Sequence, residues 1–260
     1  MPTAKLQNHP RWQAHEPLYG REKEIQQLQS CWKRCCRNAH QELVVWRGKP
    51  GVGKAALAHS LERHLELEQP KPSGIFVSGT FTENAFNEPY EIFVTTMQQY
   101  VEQLFGLLNA PELVACGRAV QQAIGKDEEL VTRVFPSVKR LVGQPSQRKV
   151  IFSGPAVEER IGMATLYRFH LVFAKLFAAL TEYMPMAIFL NNVQWADTES
   201  LSILRLLMRS EPMAITIICG YQFFKTSLEG KSRGSDTLTK SEHVQDDDLT
   251  EPPTIPIYFE

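Results

Sequence analysis

The chain has 260 residues, 43% of them hydrophobic, and carries 28 basic against 29 acidic side chains. That length supplies the core of one α/β domain with or without a small appendage. The near balance of charge gives no electrostatic ground for a nucleic-acid or anionic-membrane surface. Five cysteines, at 31, 35, 36, 116 and 219, form no CxxC pair and have no His-rich companion. They read as free thiols of a reducing compartment rather than metal ligands. The polar start MPTAKLQNHPRWQAHE lacks the apolar core of a signal peptide. The longest apolar run, around Leu171 to Leu180, is interrupted by Lys175 and is too short to span a bilayer. A soluble, intracellular, cytoplasmic protein is expected.

Residues 1–17 read as an irregular leader. Over 22–38 the apolar positions Ile25, Leu28, Trp32 and Cys35 keep the spacing of one helical face. Leu43 to Trp46 suits a buried strand, and a glycine-rich turn from Gly48 to Lys54 leads into a helix with Leu57, Leu61 and Leu65 on one side. That helix ends before Pro70 and Pro72. A second strand fits Gly74 to Ser78. Pro89 then opens a long amphipathic helix carrying Ile92, Phe93, Met97, Tyr100, Val101, Leu104 and Phe105. Residues 112–142 are helical but weakly defined, with a break at Pro136, and 143–160 read as a loop. Ile161 to Tyr183 forms a strong helix. Met186 to Leu190 and Ala214 to Cys219 are the third and fourth strands, with a helix from Ser200 to Arg209 between them. The composition of 225–254 predicts a flexible polar segment. In 255–260, Pro256 restricts any strand to an edge. Alternation of strands and helices predicts an α/β fold: a three-layer sandwich around a mainly parallel sheet, with 18–224 as the main domain.

The turn Gly48-Lys49-Pro50-Gly51-Val52-Gly53-Lys54 has the pattern GxxxxGK. Its glycines let main-chain N–H groups curl around phosphate oxygens without Cβ clashes. The following helix, from Lys54 through Ala55 and Ala56, offers its unpaired N–H groups and the positive end of its dipole to an anion. Lys54 supplies a point charge for the outer phosphates. The next position calls for a Ser or Thr hydroxyl to ligate Mg²⁺, but this chain has Ala55.

Four segments in order, LYGREKEIQQL, GKPGVGKAAL, FVSGTFTENAFNEPYEIFVTTMQQYVEQLF and AIFLNNVQWADTESLSILRLLM, resemble the predicted ATPase modules of the AAA/STAND superfamily. Within it they are most similar to the origin-recognition-complex-like AAA ATPase domain, which is often a module of large signalling proteins such as multi-sensor kinases and transcriptional regulators. The resemblance covers roughly residues 18–222 and implies a P-loop nucleoside-triphosphatase fold that binds ATP or ADP. It places Gly20 and Arg21 at the adenine end of the site. It also implies an acidic pair after the third strand, where this chain has Asn191 and Asn192, and a basic phosphate sensor where it has Gln222. An amide can hydrogen-bond a water but cannot take its proton or give negative charge to a metal. A helical lid is implied beyond Gln222, which the polar tail is too short to supply.

With the metal hydroxyl, the acid pair and the sensor all altered, no residue is assigned as catalytic or metal-ligating. Mg²⁺ binding is expected to be weakened. The expected function is a nucleotide-binding signalling or regulatory module, a pseudo-ATPase with weak or lost hydrolysis. Its expected partners are a nucleotide and either another protein or a further copy of the chain, with no nucleic acid and no membrane. Two alternatives stay open. One is an active ATPase that uses Asp197 or a partner's residue as a substitute acid, against the plain reading of Asp197 as a helix N-cap. The other is an interaction scaffold that binds no nucleotide.

Overall fold

Four apolar runs and one proline-containing segment pair into a single sheet. The computed structural model describes residues 20–83, 90–143, 158–223 and 255–258, with backbone only for 158–167 and 255–258. Strands β1 (Glu42–Gly48), β2 (Ile75–Thr80), β3 (Met186–Asn191), β4 (Ile215–Gln222) and β5 (Ile255–Tyr258) lie in the order β2-β3-β4-β1-β5. Every pairing among them is parallel, which sharpens the expectation of a mainly parallel sheet. Pro256 stands opposite Val45 on the edge strand, where a missing N–H leaves no gap in an inner ladder. The third and fourth strands run further than the apolar runs predict. The ladders continue to Asn191 opposite Gly220 and to Gln222 opposite Gly48, so β1, β3 and β4 all end with polar or glycine residues at one carboxyl edge.

β3 and most of β4 are mainly apolar because both faces are covered, while β1 is buried on one face and half-buried on the other. On one face, Val44, Trp46, Phe76, Ala187, Phe189 and Ile218 pack against helices α1 (Glu22–Asn38) and α2 (Lys54–Glu66) through Leu28, Trp32, Leu57 and Leu61. On the other, Ile75, Val77, Ile188, Leu190, Ile215 and Ile217 meet α3 (Glu91–Leu107), α7 (Glu158–Thr181) and α8 (Thr198–Arg209). Each fully buried Leu, Ile or Phe contributes about 1.5–3 kcal/mol. The half-exposed pair of Arg34 and Glu42, at 2.9 Å, contributes about 0–1 kcal/mol, so the two apolar cores dominate the fold.

The weakly defined region resolves into α4 (Ala110–Ile124), α5 (Glu128–Val134) and α6 (Lys139–Val142), joined by 3-10 turns that begin at Gly125 and Pro136. These helices lie outside the sandwich, and their buried Cys116, Val120, Val131 and Val138 extend the core formed by α3 and α7. The predicted opening of α3 at Pro89 falls outside the described residues, and α3 is preceded by Tyr90 in a left-handed conformation. Helix α7 starts at Glu158, inside the stretch read as loop, because Glu158-Glu159-Arg160 form its first turn. The rest of that loop, residues 144–157, and the polar segment 225–254 lie outside the described residues.

The chain leaves β1, crosses through α2 to the far edge at β2, and returns through β3 to β4 beside β1, with β5 on β1's other side. The carboxyl ends of β1 and β4 therefore lie side by side, Gly48 opposite Gln222. Together with the glycine turn between β1 and α2, this arrangement makes the molecule a P-loop nucleoside-triphosphatase fold.

Candidate functional site

The glycine turn adopts the geometry its sequence demands. Gly51 and Gly53 have φ of +81° and +90°, values that L side chains rarely adopt. A Cβ added at either would meet nothing within 4 Å, so the main chain faces open space there. Gly48 is buried at the end of β1, while Lys49, Pro50 and Gly51 are exposed and Val52 leans on the α1–α2 core. Helix α2 begins after Gly53 with no side-chain cap and no acidic residue in its first turn, so the helix itself supplies no anion to its N–H groups and positive dipole end. Ala55 and Ala56 occupy that first turn and offer no hydroxyl.

Lys54 is only 4% exposed. Its Nζ donates to the carbonyls of Gly48 at 3.0 Å and Lys49 at 2.9 Å, which uses two of its three N–H groups and leaves one for a ligand. Burial lowers the pKa of its ammonium below the ordinary lysine value. A cation so held gains by meeting an anion that restores its charged form.

The other predicted site residues reach the same edge by different routes. Asn191 continues the alternation of Ala187 and Phe189, both in the α1–α2 core, so its side chain lies on the face that carries α2. Its neighbour across the ladder is Gly220, where a Cβ would come within 3.0 Å of Asn191 Oδ1, so glycine there lets that side chain lie across β4. Asn192 is left-handed, with φ of 58°, and heads the 3-10 turn Val193–Trp195. The N–H of Gln222, at the end of β4, donates to Gln194 Oε1 at 3.0 Å and ties that turn to the strand beside the phosphate loop. Gln194 and Gly220 have no part in the sequence reading, because their roles depend on which strands become neighbours.

Gly20 and Arg21 stand at the start of α1. Only Ala39, His40 and Gln41 separate α1 from β1, so the helix runs back along the strand; its 17 residues, about 25 Å at 1.5 Å each, match the strand's length and bring Gly20 and Arg21 to the carboxyl edge. Gly20 donates its N–H to Glu22, and Arg21 pairs with Glu24 at 2.9 Å, which holds the Glu24 carboxyl below its usual range.

Asp197 caps α8: its Oδ1 accepts the N–H of Ser200 at 2.7 Å and its Oδ2 accepts the Ser200 hydroxyl at 2.6 Å. Asp197→Ala is expected to cost about 0.5–2 kcal/mol in thermal or denaturant unfolding. Asp197→Asn keeps an acceptor for the cap, so it should be nearly neutral in unfolding and leave any phosphate release unchanged. Loss of turnover in the Asn variant alone would instead assign the carboxylate a chemical role. A cavity of about 170 Å³ lies beside Asp197, lined by Thr80, Phe81, Glu91 and Trp195 among others. Its walls come from β2, α3 and the turn after β3, on the far side of β4 from the phosphate loop.

The arrangement fits a polyphosphate: an open ring of main-chain N–H groups, an uncapped helix end and an ammonium with a donor to spare. For a metal ion the protein offers less: Ala55 has no hydroxyl, and Asn191 and Asn192 have neutral amide oxygens in place of carboxylates. Mg²⁺ would be held through phosphate oxygens and water. Among the described residues no group of three or more His, Cys, Asp or Glu is placed to hold a metal, and no helix is long and apolar enough to cross a membrane.

The model of a family described as AAA ATPase domain matches residues 17–218. The chain is 27% identical over 195 residues to hybrid signal transduction histidine kinase G of Dictyostelium discoideum, which covers 74% of this chain and about 5% of the kinase's length. The crystal structure of Cdc6p from Pyrobaculum aerophilum aligns over 82% of this chain and 41% of that one, at 16% identity and a TM-score of 0.40.

Proposed function

The chain belongs to the AAA ATPase domain family, and on that premise we propose that it is a nucleotide-holding regulatory module that binds ATP or ADP and hydrolyses it slowly or not at all. The observation that carries the reading is the pairing of an intact phosphate cradle with a neutral opposite wall. Gly51, Gly53 and Lys54 keep every element of anion capture. The same edge carries the amides Asn191 at the end of β3, Asn192 in the turn after it and Gln222 at the end of β4, where the resemblance implies two carboxylates and a cation. Gly20 and Arg21, at the same edge, are assigned to the base end.

Neutral amides change the metal requirement. A carboxylate beside a triphosphate needs a divalent cation between them, whereas an amide imposes no like-charge repulsion. The module therefore holds nucleotide with weak dependence on Mg²⁺. The signalling role rests on the name of the Dictyostelium relative, a hybrid signal transduction kinase. In such a setting a bound nucleotide serves as a structural signal, read by another protein or a further copy of the chain.

Titration calorimetry with ATP and ADP tests the proposal. Dissociation constants with millimolar Mg²⁺ and with a chelator should agree within about tenfold, a difference of about 1.4 kcal/mol. An absence of binding in both conditions would leave the scaffold reading in possession. Phosphate release clearly above that of a Lys54 variant would favour the active-ATPase reading.

A further inference from the structure

Two polar atoms in the turn after β3 are buried with no hydrogen-bond partner among the described residues: Asn192 Oδ1, an acceptor, and Gln194 Nε2, a donor. They sit two residues apart in one 3-10 turn with a left-handed residue at its head. The other end of the Gln194 amide is fixed. Its Oε1 accepts the main-chain N–H of Gln222 at 3.0 Å, and since an N–H can only donate, this assigns the oxygen and leaves Nε2 as the donor. Gln222 stands opposite Gly48 in the β4–β1 ladder, and the carbonyl of Gly48 receives the ammonium of Lys54 at 3.0 Å. The Gln194 amide is thus anchored one strand away from the phosphate loop.

A buried amide N–H without an acceptor is an uncompensated cost to the folded chain. The outermost oxygens of a polyphosphate held by Lys54 are strong anionic acceptors that would remove that cost. The inner phosphates, enclosed by the loop's own N–H groups, have less need of it. The turn Val193–Trp195 is held to the sheet through the Gln194–Gln222 contact, and the chain then reaches Asp197, the cap of α8; the buried Nε2 meets a phosphate when the turn shifts towards the loop.

We propose that Gln194 distinguishes nucleoside triphosphate from diphosphate, with Nε2 donating to the terminal phosphate and Asn192 Oδ1 accepting from a neighbouring water that it cannot deprotonate. This deepens the nucleotide-binding reading and rests on it. The triphosphate engages the turn after β3; the diphosphate leaves it as it stands.

The test is titration of the full chain with ADP and with a non-hydrolysable ATP analogue, comparing the unaltered protein with Gln194→Glu. The glutamate keeps an oxygen for the Gln222 N–H but replaces the donor with an anionic acceptor. The analogue should bind at least about tenfold more weakly, the worth of one hydrogen bond to a charged group, while ADP changes by less than about twofold. Gln194→Met, which removes the donor without adding charge, should shift the ratio in the same direction by less, and it carries the test if the glutamate variant fails to fold. Equal losses for both nucleotides, or no loss for either, would overturn the proposal while leaving nucleotide binding intact. An unaltered chain that binds neither nucleotide would overturn both.

Discussion

Lys54→Met should weaken ATP and ADP binding by at least about 100-fold, enough to abolish it at micromolar nucleotide in a calorimeter; hydrogen bonds to charged groups are worth about 1.5–3 kcal/mol, and here the ammonium's long-range attraction adds to that. Methionine is the informative replacement because the lysine is only 4% exposed. Its unbranched chain keeps most of the buried stem and removes the charge. The carbonyls of Gly48 and Lys49 lose a donor, so a loss of about 1 kcal/mol in folding stability is expected alongside. A pH series gives a second reading of the same group. Burial lowers the ammonium's pKa, so binding by the unaltered chain should fall off as pH rises through a value below the ordinary lysine range, where the amine becomes neutral. Equal binding by the methionine variant and the unaltered chain would remove Lys54 from the site and with it the central claim about this loop.

Restoring the missing chemistry in one variant, Ala55→Thr with Asn191→Asp and Asn192→Glu, should raise Mg²⁺-dependent phosphate release by about 10²–10⁴-fold, the usual worth of a positioned general base. The three changes belong together, because a carboxylate that holds the metal's water shell contributes little when the metal lacks its hydroxyl ligand, and the effects of such groups are far from additive. A second readout separates restored chemistry from a general disturbance. The new negative charge should weaken ATP binding in the presence of a chelator while leaving binding with Mg²⁺ nearly unchanged. Asn192 has φ of 58°, a conformation asparagine tolerates better than glutamate, so a loss of stability of about 1 kcal/mol accompanies that substitution. Turnover no higher than that of the Lys54→Met background would show that the carboxyl edge departs from the hydrolytic arrangement by more than these side chains.

The sheet was largely legible because β3 and most of β4 are buried on both faces and β1 on one, so each appears as a mainly apolar run. Their ends were not. Asn191 and Gln222 are polar, and only the ladder, closing opposite Gly220 and Gly48, shows that they belong to strands. The start of α4 carried a signal that apolar periodicity alone passes over. Asn109 accepts the N–H of Glu112 while Glu112 accepts that of Asn109, a reciprocal cap readable as Asn-Ala-Pro-Glu. The start of α7 was masked by the three charged residues of its first turn, which follow Pro155 closely. In the site, Gly51, Gly53 and Lys54 stood out because a left-handed turn requires glycine and the pattern is local. Gln194 and Gly220 act across 28 residues and across a strand pairing, so no local pattern reveals them.

Helix α8 is fastened at both ends. At its first turn Asp197 grips Ser200 beside the carboxyl edge, and at its last the side chain of Gln41, just before β1, donates to the carbonyls of Leu207, Ser210 and Glu211 at 3.1, 3.1 and 2.9 Å. Twelve residues at 1.5 Å each make a rod about 18 Å long between these two clasps. The rod begins two residues after the turn that holds Gln194, so it joins the carboxyl edge of the sheet to the opposite rim, where Gln41 precedes β1.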